Sequence, residues 1–328
     1  MSLARTLLAP LGFAYGAAAA LRVSLYGAGV LASTRLAAPV ISIGNLSVGG
    51  SGKTPFVGWL ASRLRDRGLP VAILSRGYGG SFEGECLIVS EGQAALSDAA
   101  VAGDEPVLLA RELPGVVVAV GPRRDVVGAT VLERFGRRVL LLDDGFQHLR
   151  LQRDLAIVCL APGDASDRPM PAGRLRELPA ALRRAQLRLG VVGANDAPPA
   201  GVDFVARRRA IGAAHLDGSA AELPRRALLV SAIARPERFA ADARALGCQV
   251  IAHRALRDHH RFDLQEIEAF AREAQALGAE ALLTTAKDAV RWPAAATAVP
   301  TRVLRIALEL DGEAALMERV WAVAQRAA

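Results

Sequence analysis

The run Ser47-Val48-Gly49-Gly50-Ser51-Gly52-Lys53-Thr54 limits the folds open to this chain more than any other feature. Its three glycines allow backbone N–H groups to turn inward around an anion with no side chain in the way. Residues 39–43 before it read as a buried strand, and 53–67 after it read as a helix ended by Gly68. A helix N-terminus facing the loop, the ammonium of Lys53 and the hydroxyl of Thr54 are what a phosphate chain and its Mg²⁺ require. Ser47 stands where such loops usually begin with glycine. In this strand–loop–helix context, 47–54 reads as a P-loop.

Strands at 71–74, 116–120, 138–142 and 155–160 alternate with helical segments at 105–112 and 124–135. Their near-continuous apolar character predicts a parallel sheet covered on both faces. The order then loosens, with strands at 189–192 and 204–207, a Gly/Ala-rich link, and strands at 228–232, 249–252 and 281–285. Helices are expected at 264–277 and 312–326. The expected fold is α/β, with a doubly wound, mostly parallel sheet. The expected division is an apolar N-terminal segment (1–38), a nucleotide-binding core (39–210) and a smaller C-terminal α/β domain (211–328) after a linker.

Composition narrows the partners. The net charge of +7 favours polyanions, whereas only 5% of residues are aromatic and no basic run is interleaved with them, so no nucleic-acid platform is expected. Cys86, Cys159 and Cys248 are widely spaced, which argues against a zinc site or disulfide framework. Of 40 basic residues only Lys53 and Lys287 are lysine. A chain that uses arginine almost everywhere keeps lysine where a guanidinium would not fit. Arg22 is the only charge between Thr6 and Ser33, and the uncharged stretch 6–21 is shorter than the roughly 20 residues needed to cross a bilayer. A signal peptide is one rival. The preferred reading is an apolar helix lying against a membrane interface on the cytoplasmic side.

Asp143-Asp144 ends the strand at 138–142, as an acid that holds Mg²⁺ would, although a plain turn is the alternative. Gln147 and His148 follow at once and face the same crevice or the surface. Asp104, in Gly103-Asp104-Glu105-Pro106, reads by pattern as a helix N-cap, and otherwise as a group able to accept a hydroxyl proton. Asp258-His259-His260 is the second candidate for proton transfer. Lys287, in Thr284-Thr285-Ala286-Lys287-Asp288, either fixes its loop through an ion pair or touches nucleotide. The register of this run does not match a guanine-reading motif.

Together these motifs, with Gly44-Asn45-Leu46, Ser75-Arg76-Gly77-Tyr78-Gly79-Gly80, Asp143-Asp144-Gly145-Phe146-Gln147-His148 and Pro171-Ala172-Gly173 with Leu175-Arg176-Glu177, resemble the tetraacyldisaccharide 4′-kinase family of lipid A biosynthesis. They run in family order along nearly the whole chain. The resemblance implies transfer of the γ-phosphate of ATP to the 4′-hydroxyl of an acylated glucosamine disaccharide 1-phosphate, with Mg²⁺, giving lipid IVA. It implies docking on inner-membrane lipids, peripheral or monotopic, at the cytoplasmic face. Asp104 and His259 become the catalytic pair. Residues 47–54 bind ATP, and Thr54, Asp143 and Asp144 serve Mg²⁺. Asn45, Arg76, Tyr78, Arg124, Gln147, His148 and Arg176 become substrate-binding candidates. Ala286 departs from the family's acid, Arg174 from its proline, and Ala234-Arg235-Pro236 from Gly-Asn-Pro. The competing reading is a membrane-associated P-loop NTPase that acts as a switch.

Overall fold

The computed structural model describes residues 7–49, 52–293 and 297–327. Helix α1 (Ala9–Gly27) starts with Pro10 in its first turn, where the missing N–H costs nothing. β1 (Val40–Asn45) is buried along its whole length and leads into the glycine-rich loop, of which Gly50 and Ser51 lie outside the described residues. α2 (Lys53–Arg65) follows Gly52, whose φ of 77° only glycine adopts easily; a Cβ there would sit 2.3 Å from Cγ1 of Val191. Next come β2 (Val71–Ser75), β3 (Leu87–Glu91), α3 (Ala99–Ala102), α4 (Asp104–Glu112) and β4 (Val117–Val120). α5 (Arg124–Phe135), β5 (Val139–Leu142), β6 (Leu155–Leu160), β7 (Leu187–Gly193), β8 (Phe204–Ala214) and β9 (Ala220–Ala221) follow. The remainder is β10 (Arg226–Ser231), α6 (Pro236–Ala245), β11 (Gln249–Ala255), α7 (Leu264–Ala276), β12 (Ala281–Thr285), α8 (Ala286–Ala289), β13 (Thr301–Asp311) and α9 (Glu313–Ala324).

Among the described residues all strands join one sheet, in the order β11-β10-β12-β13-β8-β7-β6-β1-β5-β2-β4-β3, with β9 beside β8. β1 lies between β5 and β6, parallel to both. The acids that follow β5 are thereby carried to the same sheet edge as the loop that follows β1. Successive strand residues pack on opposite faces. Ile41, Ile43 and Leu141 meet Phe56 and Leu60 of α2, whereas Val40, Leu140 and Leu142 meet Val127 and Val131 of α5. Burial on both faces explains why these strands read as continuous apolar runs rather than alternating ones. Residues 227–304 build their own pair of layers, Leu228, Val230 and Ile267 on one side and Leu229, Phe239 and Leu283 on the other.

Several elements differ from the expectation, β8, β13, β3 and α6 most of all. The Gly/Ala-rich link is the second half of β8, which pairs antiparallel with β13 along residues 303–311. Three consecutive arginines hide this strand in the sequence. Arg207, Arg208 and Arg209 are charge-paired with Asp311, Asp242 and Glu309, so a strand this basic remains stable. β13 itself, β3 and α6 were not expected either, although Leu304, Ile306, Leu308 and Leu310 of β13 alternate as a half-buried strand does.

Candidate active site

The 47–54 loop is braced from the side by residues 174–176. Val48 donates its N–H to the Arg174 carbonyl at 2.8 Å, Arg176 donates to the Leu46 carbonyl at 2.6 Å, and Ser47 bridges to Leu175. Behind the loop, the Asn45 amide donates to the Ser47 carbonyl at 2.6 Å and accepts from Lys53 Nζ at 3.1 Å. Lys53 also lies 3.3 Å from Asp144, whose other oxygen accepts from Arg176 at 2.7 Å. Thr54 Oγ1 donates to Asp143 Oδ2 at 3.3 Å. The two acids are electrostatically unlike. Burial, with Glu105 and Asp144 adding to it, pushes the Asp143 carboxyl up to about 7, against Lys53 and the Thr54 hydrogen bond. Burial also opposes ionisation of Asp144, but Lys53 and Arg176 outweigh it and hold that carboxyl below its ordinary range.

Asp143 Oδ1 is buried with no hydrogen-bond partner. Such an atom is costly unless something positive reaches it. Among the described residues no cluster of three or more carboxylates, imidazoles or thiols could cage a cation. Mg²⁺ does not ask for one, because it takes one or two protein oxygens and completes its shell with phosphate and water. Asp143 and Thr54, with Asp144 beside them, fit that requirement.

A second group of residues extends the site toward α1. Gly12 and Gly16 let this helix seat closely on residues 169–178; a Cβ at Gly12 would fall 2.8 Å from the Pro169 carbonyl oxygen. A groove of about 350 Å³ runs between them, lined by Tyr15, Ala19, Arg22, Gln147, Leu149 and Arg176 among others. Gln147 Nε2 donates to the Asn45 carbonyl at 2.9 Å, and Arg22 donates to the Gln147 carbonyl at 3.3 Å. Arg124 is buried, holds the Pro122 carbonyl at 3.1 Å, and has an Nε with no partner. Burial and the nearby Arg76 lower its guanidinium to about 10. His148 is pushed down to about 4 by burial and by Arg124, so it is neutral at physiological pH. Asp125, Asp143 and Asp144 offset part of this charge, and the free Arg124 Nε is left as a donor that an anion could meet.

The third group comes from two distant parts of the chain. Asp104 does not cap its helix, as pattern alone suggested. Gly103 takes the N-cap position and Asp104 is the first residue of α4. The φ of Gly103 is 91°, and a Cβ there would lie 2.6 Å from the Tyr78 carbonyl oxygen, so the 77–80 loop packs directly on this backbone. Asp104 Oδ2 meets His259 Nδ1 at 2.9 Å and lies 3.4 Å from Arg291 Nε. Tyr78 presents its ring edgewise to His259, with centroids 6.1 Å apart. Among the described residues Asp144 and His259 are the two non-glycine positions with positive φ, 55° and 109°. Backbone strain of this kind persists where surroundings enforce it, and here it falls on two site residues.

Of the residues expected from sequence, Asn45, Lys53, Thr54, Asp143, Asp144, Gln147 and Arg176 are linked directly. Asp104, His259 and Tyr78 form a second set, and Arg76, Arg124 and His148 a third; Glu105, through its effect on Asp143, couples the first two. Lys287 lies against His259 and Asp258, in a loop other than its own. Arg22, Glu105 and Arg291 were not foreseen. Arg22 carried a signal as the one charge in an apolar stretch, and Glu105 by its place in the Gly103–Pro106 motif; Arg291 carried none.

The family model described as tetraacyldisaccharide-1-P 4′-kinase matches residues 4–325. This chain belongs to that family. A tetraacyldisaccharide 4′-kinase of Anaeromyxobacter dehalogenans (strain 2CP-C) is 44% identical over 334 residues, covering 93% of this chain and 86% of the relative. One from Geobacter sulfurreducens is 43% identical over 292 residues, covering 85% and 82%. The crystal structure of LpxK from Aquifex aeolicus in complex with ATP superposes with a TM-score of 0.83 at 32% identity, covering 98% of this chain and all of that one.

Proposed function

We propose that this family member transfers the γ-phosphate of ATP to the 4′-hydroxyl of an acylated glucosamine disaccharide 1-phosphate, giving lipid IVA at the cytoplasmic face of the inner membrane. The 2.9 Å contact between Asp104 and His259, beside a phosphate loop built from Lys53, Thr54 and Asp143, carries the reading. In this mechanism residues 47–54 cradle the triphosphate and Lys53 follows its β- and γ-phosphates. Both contacts to Asp104 fall on Oδ2, which leaves Oδ1 for the substrate. As the 4′-oxygen bonds to the γ-phosphorus, its proton passes to Asp104 Oδ1. The bond from that phosphorus to the bridging oxygen breaks, and ADP leaves with the electron pair. His259 and Arg291 hold the carboxylate in place through Oδ2. Mg²⁺ held by Thr54 and Asp143, with Asp144 beside them, would neutralise charge on the phosphates.

The groove beside α1, with Arg76, Arg124, Gln147, His148 and Arg176 along or behind it, suits a phosphorylated sugar whose acyl chains lie toward the helix. Leu7, Leu11, Phe13 and Leu21 of this segment are each 60% exposed or more. No helix among the described residues is long and apolar enough to cross a membrane. An interfacial helix that buries this face in the headgroup boundary accounts for both observations. Residues 211–328 act as the smaller domain that brings His259 to Asp104, and the paired β8 and β13 connect it to the core.

The test is labelled ATP with the acylated disaccharide 1-phosphate in detergent. The kinase reading expects label on the lipid. Label found only in free phosphate would favour the switch, and unconsumed ATP would point to another acceptor.

A further inference from the structure

Lys287 is one of two lysines in the chain, and its ammonium sits at the far side of the proposed catalytic pair. Nζ lies 3.3 Å from His259 Nε2, 3.6 Å from Asp258 Oδ1 and 4.0 Å from Glu105 Oε1. An ammonium has three donors and no acceptor. The contact with Nε2 is therefore a hydrogen bond only when Nε2 presents its lone pair. The single proton of a neutral imidazole must then be on Nδ1, where Asp104 Oδ2 accepts it at 2.9 Å. In the opposite tautomer an N–H faces the ammonium and a lone pair faces the carboxylate, so both contacts become repulsive. An imidazolium would keep the Asp104 contact but would oppose two positive charges at 3.3 Å.

We propose that Lys287 is a positioning residue that fixes His259 as the neutral Nδ1–H tautomer, so that Nδ1–H donates to Asp104 Oδ2 and leaves Oδ1 facing the hydroxyl proton. The inference rests on the kinase reading for its purpose but not for its geometry. The support beneath Lys287 is built for placement. α8 is capped by Thr285, whose hydroxyl accepts from the Asp288 N–H at 3.1 Å and donates to Asp288 Oδ2 at 2.7 Å. Asp288 has no exposed surface, accepts from the Ala232 N–H at 3.1 Å and is paired with Arg291. Lys287 and Arg291 are four residues apart and take opposite ends of the pair, Lys287 at His259 Nε2 and Arg291 at Asp104 Oδ2. The ammonium serves this role as a donor-only cation within reach of Nε2 at 3.3 Å, a property a guanidinium shares.

The charged groups facing His259 are Asp104 from α4, Asp258 beside it in the chain and Lys287 from α8, with Glu105 and Arg291 one contact further out. Asp258 Oδ1 is 3.7 Å from Nε2. Without the lysine, that carboxylate is the nearest charge to Nε2 and draws a proton onto it.

The experiment uses the full chain with ¹⁵N-labelled histidine, read by long-range ¹H–¹⁵N correlation, alongside the pH profile of kcat. Wild type should show His259 protonated at Nδ1 only. K287M should protonate Nε2 and move the acid limb of kcat upward by about one pH unit, with ATP affinity unchanged. K287R, which keeps a donor-only cation, should retain the Nδ1–H form. A wild-type His259 already protonated at Nε2 would overturn the proposal even if no variant folds. So would an unaltered tautomer and profile in K287M, or a K287R that behaves like K287M, since lost packing rather than lost charge would then be the cause. Failure of Asp104 as the base would leave the tautomer reading untouched, so the two ideas fail separately.

Discussion

Asp104 and His259 are 155 positions apart in the chain and meet at 2.9 Å, one at the first turn of α4 and the other in the loop before α7. One lies beside the 77–80 loop and the other near α8, so the contact exists only in the folded chain.

Asp104→Ala removes the group proposed to accept the hydroxyl proton. Turnover should fall by about 10²- to 10⁴-fold, the usual worth of a positioned general base, while ATP binding persists. Steady-state kinetics with a nucleotide-binding titration checks both halves. Near-normal turnover would remove Asp104 from the role.

Asp143 is costly to the fold, because its carboxyl is pushed up to about 7 by burial and Oδ1 is without a partner. In the native state it holds a proton that the unfolded chain gives up near the ordinary carboxylate range. Stability from this group therefore falls as pH rises between about 4 and 7. Asp143→Asn should raise the unfolding free energy at pH 8 without divalent cations by about 1–3 kcal/mol, and should abolish Mg²⁺-dependent turnover. Urea denaturation in chelator reads the first effect. An unstabilised variant would show that the carboxyl is better solvated than its burial indicates.

His148 titrates in the opposite sense. Its folded value near 4 lies below the ordinary 6.5, so the unfolded chain takes up a proton between these limits and the native chain does not. Its contribution is complete above pH 6.5 and is lost as the pH falls toward 4. The stability difference between wild type and His148→Gln should therefore change by on the order of 2 kcal/mol across that window, after allowing for partial contact with water. Paired denaturation curves at pH 7.5 and 4.5 measure it; a constant difference would count against the buried neutral imidazole.

Phe13 and Leu21 on α1 are 70% and 61% exposed and contribute little to the core. Replacing both with Ser should leave the thermal midpoint almost unchanged. Binding to vesicles containing anionic lipid should weaken by about tenfold or more per position, since a large apolar side chain is worth roughly 1.5–3 kcal/mol when buried. Vesicle flotation reads the effect. Undiminished flotation would mean that another surface meets the membrane.

Several elements were legible because one rule dominated each. The expected span of α5 agrees with the observed Arg124–Phe135, and those of β6 and β12 with Leu155–Leu160 and Ala281–Thr285. α5 carries its apolar residues at helical spacing, and the two strands are short apolar runs buried on both faces. β8 was cut short because its middle is Arg207-Arg208-Arg209, and a row of cations reads as loop until the acids that answer it are in view. Asp104 followed the same logic. Before a helix, an aspartate is most often a cap, and only the arrival of His259 and Arg291 gives its side chain another use.

The local chemistry of the phosphate loop could be read from the order of residues alone. Glycines, one lysine and a threonine in an unbroken run act through backbone angles and neighbouring atoms, which distant residues barely alter. Three-dimensional packing sets which carboxylate is buried and which is paired, that Arg124 and His148 are crowded together, and that Lys287 and Arg291 lie against His259 and Asp104. Those properties depend on desolvation and on charge separations of a few ångströms between residues far apart in the chain, and a linear order does not contain such distances.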